Sequence, residues 1–183
     1  MSRFPDFEIS HLGLHVFELE PMVSFYKDVF GFIEADRGVV NGTIPVVFLS
    51  RSARDHHQVV LAGGRTAASD ALLLNQISLR VASLAELRTV FELLSEQEGA
   101  SDLRAISHGN AYSVYVRDPE GNKLEVFTDS PWYVEQPVLD PFDFSLTDDE
   151  ILANTLENIK DRPGFKSFSQ WSADMQQRLD ATI

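Results

Sequence analysis

Residues 113–129, SVYVRDPEGNKLEVFTD, contain the strongest structural signal in the chain. The turn-forming cluster DPEGN occupies positions 118–122, and apolar residues alternate with polar ones on either side of it. Two alternating segments joined by a short turn are typical of a β-hairpin. Because side chains alternate between the two faces of a strand, one face is apolar and predicts contact with a core, while Tyr115 and Glu125 share the other face. The apolar set is Val114, Val116, Leu124 and Val126.

Length and composition predict a cytoplasmic protein with a full hydrophobic core. The chain has 183 residues, of which 44% are hydrophobic, and it contains no cysteine. No apolar run approaches the roughly 18 to 20 residues of a membrane helix, and the start of the sequence lacks the apolar segment of a signal peptide. Without cysteine, a metal would need His, carboxylate or amide ligands. A formal charge of −13 repels phosphate groups, so we expect neither nucleic acid nor membrane as a partner.

The sequence contains an internal repeat. Residues 10–30 align without gaps on residues 75–95, and the apolar positions of the two segments coincide. The same offset of 65 residues carries Val59 onto Leu124 and Leu61 onto Val126 of the hairpin. A repeat that agrees at both ends of the unit predicts two copies of one structural module.

Each copy is predicted to fold as a strand, a helix and three further strands. In the first copy Pro21 suits an opening helical turn and Gly31 suits a C-terminal stop. In the second copy Ser83–Glu86 is a capping box. The strands after the helix are expected at about 33–40, 44–50 and 57–62 in the first copy and at about 103–107, 111–117 and 123–128 in the second. The sequence thus predicts an α+β fold of two βαβββ modules, at about residues 7–65 and 70–130 of a 1–130 unit.

These segments resemble the vicinal oxygen chelate superfamily, which includes glyoxalase I, bleomycin-resistance proteins and extradiol ring-cleavage dioxygenases. The matching stretches are HLGLHVFELEPMVSFYKDVFGF, DHHQVVLAGG, LNQISLRV and HGNAYSVYVRDPEGNKLEVF. The hairpin sequence DPEGNKLEVF is the most specific of them. The resemblance implies that the two modules form an open barrel around a divalent metal and that the protein acts on a small molecule.

Strand parity and the repeat select the residues that match the metal ligands of that family. His11 lies on the concave face of the first strand and aligns with Gln76, whereas Glu125 lies on the concave face of the hairpin. The resemblance therefore implies a metal bound by His11, Gln76 and Glu125. Fe(II) is the expected ion, with Mn(II), Ni(II) or Zn(II) as alternatives. Three ligands on one side of the metal leave positions open for substrate and oxygen.

Gln76 departs from the dioxygenase pattern, in which this ligand is a histidine. An amide oxygen is generally a weaker ligand than imidazole, so the site binds metal less tightly, prefers another metal or has lost it. Glyoxalase I tolerates glutamine as a ligand but uses a second carboxylate. Val60, which aligns with Glu125, cannot supply that carboxylate. The ligand pattern is therefore nearer to the dioxygenases.

The resemblance also assigns two catalytic residues. Tyr115 precedes Glu125 by ten positions on the same face, as does the tyrosine that hydrogen-bonds the substrate hydroxyl in the dioxygenases. His108 resembles the histidine near their metal that donates or accepts a proton. Other candidates remain open: His15 as pocket lining, His56 and His57 as loop or pocket residues, and Arg80 as the partner of a substrate carboxylate or of nearby Glu residues.

Residues 131–183 lie outside the repeat and are predicted to form a C-terminal extension with two helices. Prolines make the first part extended. Thr147–Glu150 is a capping box for one helix. Trp171, Met175 and Leu179 recur four residues apart in the second helix. The extension covers either the barrel mouth or a partner subunit, or it packs on the outside of its own chain.

The sequence thus predicts a catechol-type ring-cleavage dioxygenase, an oxidoreductase that acts on an aromatic diol and forms a homo-oligomer. Two alternatives stay open. A glyoxalase-like, metal-dependent isomerase or lyase would consume no oxygen. A binding protein of the bleomycin-resistance kind would need no catalytic metal.

Overall fold

The computed structural model describes residues 11–53, 56–66 and 74–180, except for the side chains of residues 178 and 179. The first module consists of β1 (Leu12–His15), α1 (Leu19–Phe30), β2 (Ile33–Val40), β3 (Ile44–Ser50) and β4 (Val59–Ala62). The second module repeats this order with β5 (Ile77–Arg80), α2 (Leu84–Glu96), β6 (Ser101–Ser107), β7 (Ala111–Arg117) and β8 (Lys123–Asp129). The predicted α+β fold of two βαβββ modules is therefore confirmed.

Each module forms its own sheet. The strand order is β1-β4-β3-β2 in the first sheet and β10-β6-β7-β8-β5 in the second, where β10 (Asp140–Pro141) comes from the extension. The strand pairing of the two modules follows the sequence repeat. Leu12 lies opposite Val59 in the first module, and Ile77 and Leu124, the residues 65 positions later, lie opposite each other in the second. Among the described strands the two sheets do not close into a barrel.

The two helices bury their apolar faces against the two sheets in one core. Phe25 and Tyr26 of α1, Leu87 of α2 and Val114 of β7 are almost completely buried in it. Helix α1 ends where Gly31 adopts the left-handed conformation with φ 64°, and the Gly31 N–H donates to the Lys27 carbonyl. At the start of α2, Ser83 accepts from the Glu86 N–H as predicted, but the Glu86 carboxylate accepts from the Ala82 N–H.

The hairpin turn at 118–122 joins the modules. One oxygen of Glu120 accepts hydrogen bonds from the backbone N–H groups of Phe17 at 2.5 Å and of Glu18 at 2.8 Å. Both groups lie at the N-terminus of α1, where an anion is favourable. The Tyr26 hydroxyl of α1 also donates to Asp118 at 3.5 Å. The most specific family segment therefore holds the second module against the helix of the first, a role that its local sequence pattern did not predict.

The extension contains β9 (Trp132–Tyr133), β10, α3 (Asp148–Ile159), β11 (Lys166–Ser167) and α4 (Phe168–Asp180). The predicted capping box at Thr147 and Glu150 is present. Helix α3 packs on the outside of the same chain, since Arg88 of α2 hydrogen-bonds to the carbonyls of Phe144 and Leu146 and to Asp148. The predicted contact of the Leu179 side chain lies outside the described residues. No helix in the described ranges is long and apolar enough to cross a bilayer.

Candidate functional site

The candidate site lies on the concave face of the second sheet, around Glu125 of β8. Tyr115 on β7 and Ser78 on β5 are the direct cross-strand partners of Glu125. Opposed residues of neighbouring strands share a face, so their side chains meet. Ser113, two residues before Tyr115, points to the same face, and Gln76 immediately precedes β5.

The Glu125 carboxylate accepts four hydrogen bonds. One oxygen accepts from the Gln76 amide nitrogen at 2.7 Å and from the Ser78 hydroxyl at 2.5 Å. The other accepts from the Ser113 hydroxyl at 2.8 Å and from the Tyr115 hydroxyl at 2.7 Å. A carboxylate offers about four lone-pair positions. These four donors therefore satisfy Glu125, which is only 8% exposed.

The hydrogen bonds keep Glu125 ionised. Burial by itself would raise the pKa of Glu125, but the donors from Ser78, Tyr115 and Ser113, together with the nearby His108 ring, outweigh burial and leave the pKa below its usual range. Burial, with the neighbouring carboxylate, raises the pKa of Tyr115 well above its ordinary value. The pair therefore consists of a carboxylate and a neutral phenol.

His108 extends this network away from Glu125. Its Nε2 atom lies 2.8 Å from the Tyr115 hydroxyl and 3.8 Å from the carboxylate. Its Nδ1 atom lies 2.7 Å from the Val138 carbonyl oxygen, which can only accept, so Nδ1 carries a hydrogen. The single hydroxyl proton of Tyr115 can serve either Glu125 or Nε2. When His108 or Glu125 carries one further proton, the His108–Tyr115 contact and the Tyr115–Glu125 contact are both hydrogen bonds. A proton can then pass between His108 and Glu125 through the Tyr115 hydroxyl.

The structure places His11 in a different group. The His11 ring lies 4.3 Å from the His57 ring, centre to centre, and the Nδ1 atoms of His56 and His57 are 3.0 Å apart. Burial, with the neighbouring His11 and His56, lowers the pKa of His57. The sequence pattern predicted His56 and His57 only as loop or pocket residues and gave no sign that they lie beside His11. Asp55, in the same sequence run, lies outside the described residues.

The other two open candidates have surface positions. The His15 side chain is exposed. Arg80 lies 3.2 Å from Asp129 and over the ring of Phe127, so its contacts in the structure are with its own sheet. Ser78 and Ser113, which contact Glu125, were not among the predicted site residues, although strand parity places both on the same face as Glu125.

The arrangement of His11, Gln76 and Glu125 within one chain does not fit a metal ion bound by these three residues. Gln76 presents its amide N–H to Glu125, whereas a metal would bind the amide oxygen. The lone-pair positions of Glu125 are taken by donors. Within residues 11–53, 56–66 and 74–180, no group of three or more His, Cys, Asp or Glu side chains has the arrangement to hold a metal ion. The ligand set His11, Gln76 and Glu125 therefore stays a prediction.

A cavity of about 750 Å³ adjoins the network at Ser78. It lies between the outer strands β1 and β5 and the end of α1, on the core side of the second sheet. Its walls are both apolar and polar, with Leu12, Phe30 and Arg51 among them, and they do not include Glu125, Tyr115 or His108. The volume suits a small organic molecule. Another cavity, of about 530 Å³, lies between the β10 segment and α3 and contains none of the Glu125 network residues.

Comparison with known proteins agrees with the fold. A domain described as glyoxylase/bleomycin resistance protein/dioxygenase from Frankia sp. EAN1pec superposes with a TM-score of 0.60 at 20% identity, covering 69% of this chain and 94% of that one. The fosfomycin resistance protein FosX from Mesorhizobium loti superposes with a TM-score of 0.53 at 20% identity, covering 67% and 92%. FosX from Listeria monocytogenes, in complex with Mn(II) and sulfate, gives 0.52 at 16% identity, covering 67% and 93%.

The family itself is established by sequence. A search of curated proteins gives no match. The family model of the glyoxalase/bleomycin resistance protein/dioxygenase superfamily matches residues 8–126, which include the first module, the second module as far as the middle of β8, and Gln76, Ser78, His108, Ser113, Tyr115 and Glu125. The chain therefore belongs to the glyoxalase/bleomycin resistance protein/dioxygenase superfamily.

Proposed function

We propose that the Glu125 network is the active site of an enzyme that acts on an aromatic diol. The observation that carries this proposal is the hydrogen-bonded chain from His108 through Tyr115 to Glu125, with steps of 2.8 Å and 2.7 Å. Such a chain can move a proton to or from a bound hydroxyl group, which is what a general acid–base site requires. The aromatic diol itself is suggested by the resemblance to the ring-cleavage dioxygenases.

Each residue then has a defined task. Ser78 is exposed and Gln76 is partly exposed, so a substrate hydroxyl can displace their hydrogen bonds and donate to the same Glu125 oxygen. Ser113 is fully buried and holds the other oxygen in place. Tyr115 stays a neutral phenol and relays hydrogen bonds, and His108 Nε2 is the end of the chain that takes or returns the proton.

The specific reaction within this proposal is extradiol ring cleavage, an oxidoreductase activity that consumes oxygen. It needs a redox metal such as Fe(II). The support for this part is the resemblance of the ligand pattern, because the described residues of one chain do not assemble the triad. The roles given above to Glu125, Tyr115 and His108 are independent of the metal.

A second candidate is a metal-free binding protein for small aromatic molecules. The observation that favours it is the saturation of Glu125 by four donors, which leaves no lone pair for a metal without rearrangement. Such a protein would bind the diol and release it unchanged. A glyoxalase-like isomerase is the third possibility and would change the ligand without oxygen.

Catechol distinguishes these candidates. Calorimetry should detect catechol binding, and an oxygen electrode should record uptake of one oxygen molecule per ring after incubation with Fe(II), but none with chelator. Mn(II), Ni(II) and Zn(II) are tested in parallel. His108→Asn and Tyr115→Phe should lower turnover about 100-fold, because general acid–base catalysis contributes roughly that factor. Tyr133→Phe, in the extension, is the control.

Three results would contradict the proposal. Binding of catechol with no oxygen uptake under any metal and no change in the ligand would identify a binding protein. Absence of catechol binding would rule out the aromatic diol. Conversion of a ligand without oxygen uptake would favour the isomerase.

We further propose that the chain forms a homo-oligomer through β2. This strand is the outer strand of the first sheet and exposes Ile33 at 71%, Val39 at 62% and Val40 at 44%. An outer strand with exposed apolar side chains is ready to pair with another chain. Sedimentation velocity should show an oligomer that Val39→Lys dissociates, with Thr89→Lys on α2 as the control. A monomeric wild-type chain would contradict this proposal.

A further inference from the structure

The C-terminal extension contacts the candidate site through the segment Val134–Val138. This segment lies beyond the family region, which ends at residue 126. The Val138 carbonyl oxygen is 2.7 Å from His108 Nδ1, and the Val134 and Val138 side chains are 0% and 3% exposed. The extension thus supplies both a buried support and a direct hydrogen-bond partner to the histidine at the end of the proton chain.

The side chain of Gln136 connects this segment to His108 in a closed ring of hydrogen bonds. Its Nε2 atom donates to the His108 carbonyl at 2.8 Å and also to the Val134 carbonyl at 3.2 Å. Its Oε1 atom accepts from the Val138 N–H at 3.0 Å. The Val138 carbonyl then accepts from the His108 ring. A single side chain therefore fixes the distance between the His108 backbone and the carbonyl that its ring contacts.

This ring selects one tautomer of His108. A neutral imidazole carries its hydrogen on one nitrogen only, and the partner of the other nitrogen decides which. The Val138 carbonyl requires the hydrogen on Nδ1, so Nε2 of the neutral ring has a lone pair facing Tyr115, which can accept the hydroxyl proton when Tyr115 does not donate it to Glu125. Without this carbonyl the ring could turn or take the other tautomer, with a hydrogen on Nε2 and no acceptor facing Tyr115.

We propose that Gln136 is a positioning residue, which holds Val138 against His108 and thereby keeps Nε2 as the acceptor toward Tyr115. The tautomer claim stands on the hydrogen bonds alone, whereas its effect on turnover rests on the proposed function. Residues that orient a histidine from behind commonly change activity by about 10- to 100-fold when removed, as the partners of metal-bound histidines do.

The test is nitrogen NMR of the intact chain labelled with ¹⁵N-histidine, at a pH where the rings are neutral. His108→Asn identifies the His108 signals by their loss. The wild-type spectrum should show His108 with a protonated Nδ1 and an unprotonated Nε2. Gln136→Met keeps the length of the side chain but removes its hydrogen bonds. It should shift the tautomer ratio about tenfold toward protonated Nε2, as expected for one lost hydrogen bond.

The control is Gln170→Met, on the exposed face of α4, where the glutamine side chain donates a hydrogen bond to Asp174 and is remote in sequence from the His108 ring contacts. It should leave the His108 signals unchanged. If catechol is turned over, Gln136→Met should lower kcat by about 10-fold with little change in KM. A wild-type His108 with protonated Nε2 and bare Nδ1 would overturn the proposal, and so would a Gln136→Met spectrum identical to wild type. Because the spectra need no substrate, failure of catechol turnover alone would overturn the proposed function and leave the tautomer assignment standing.

Discussion

Replacement of Glu125 by alanine is expected to abolish diol binding and to lower the free energy of unfolding by about 1 to 3 kcal/mol. Four donors converge on this carboxylate, and the fully buried Ser113 cannot turn to solvent, whereas Tyr115 can donate to His108 Nε2 instead. A buried donor that loses its acceptor costs about 1 to 3 kcal/mol. Gln76 and Ser78 lie nearer to the surface and can turn to water, so they add little to the loss.

The stability that Glu125 contributes should decrease as the pH falls. The folded-state pKa of Glu125 is lowered, so its contribution to stability is fully present above the unfolded-state pKa of roughly 4.3 and is lost as the pH falls through the folded-state value. The stability difference between wild type and Glu125→Gln should therefore be large at neutral pH and shrink on acidification. Urea unfolding at several pH values measures it.

Glu92→Ala on the exposed face of α2 is the matched control and should change stability by less than about 0.5 kcal/mol at every pH. A Glu125→Ala protein as stable as wild type would mean that the four contacts contribute nothing net. A difference that grows on acidification would mean that the pKa of Glu125 is raised and that the carboxyl group is neutral in the fold.

Strand periodicity and the repeat were sufficient to predict the architecture. The alternation around DPEGN defined β7 and β8 to within one residue at each end, and the offset of 65 residues gave the same elements in the first module. Parity also placed Gln76, Tyr115 and Glu125 on one face, and the structure joins them in one network. These predictions succeed because a side chain's face depends only on its position in the strand.

The chemical roles could not be read from the same pattern. Parity cannot tell whether Gln76 turns its nitrogen or its oxygen toward Glu125, and that orientation distinguishes a hydrogen-bond donor from a metal ligand. The approach of His11 to His57 depends on how the loop before β4 is arranged, which periodicity does not describe. Likewise, the contact from His108 to Val138 spans 30 residues, and the extension has no counterpart in the repeat to suggest it.

Removal of the extension after Asp129 should have the largest effect on stability, because the extension covers part of the main core and forms a second apolar cluster beside it. Val134, Val138, Ile151 and Ile159 are between 0% and 3% exposed. Ile151 packs in the main core together with Phe142, Phe144, Leu146 and Leu152, so the truncation exposes the core surface that these side chains cover. Full burial of an aliphatic side chain contributes about 1.5 to 3 kcal/mol, and several such contacts are a large share of the stability of a typical domain, about 5 to 15 kcal/mol. The truncated chain should be insoluble or unfolded, which circular dichroism and sedimentation would record.

A shorter truncation separates this effect from loss of the last helix. A chain that ends at Phe165 lacks β11 and α4 but keeps all four buried side chains and the Gln136 hydrogen bonds. Helix α4 contributes mainly the stacking of Trp171 on Tyr133, with ring centres 5.4 Å apart, so this chain should fold with a modestly lower melting temperature. If the chain that ends at Asp129 instead keeps the melting temperature and sedimentation profile of wild type, the extension is dispensable for folding. The close packing at Gly109 argues against dispensability. A Cβ at this position would lie 2.5 Å from Val134 and 3.3 Å from Ile159, so the backbone beside His108 is packed directly against the extension and would be uncovered by the truncation.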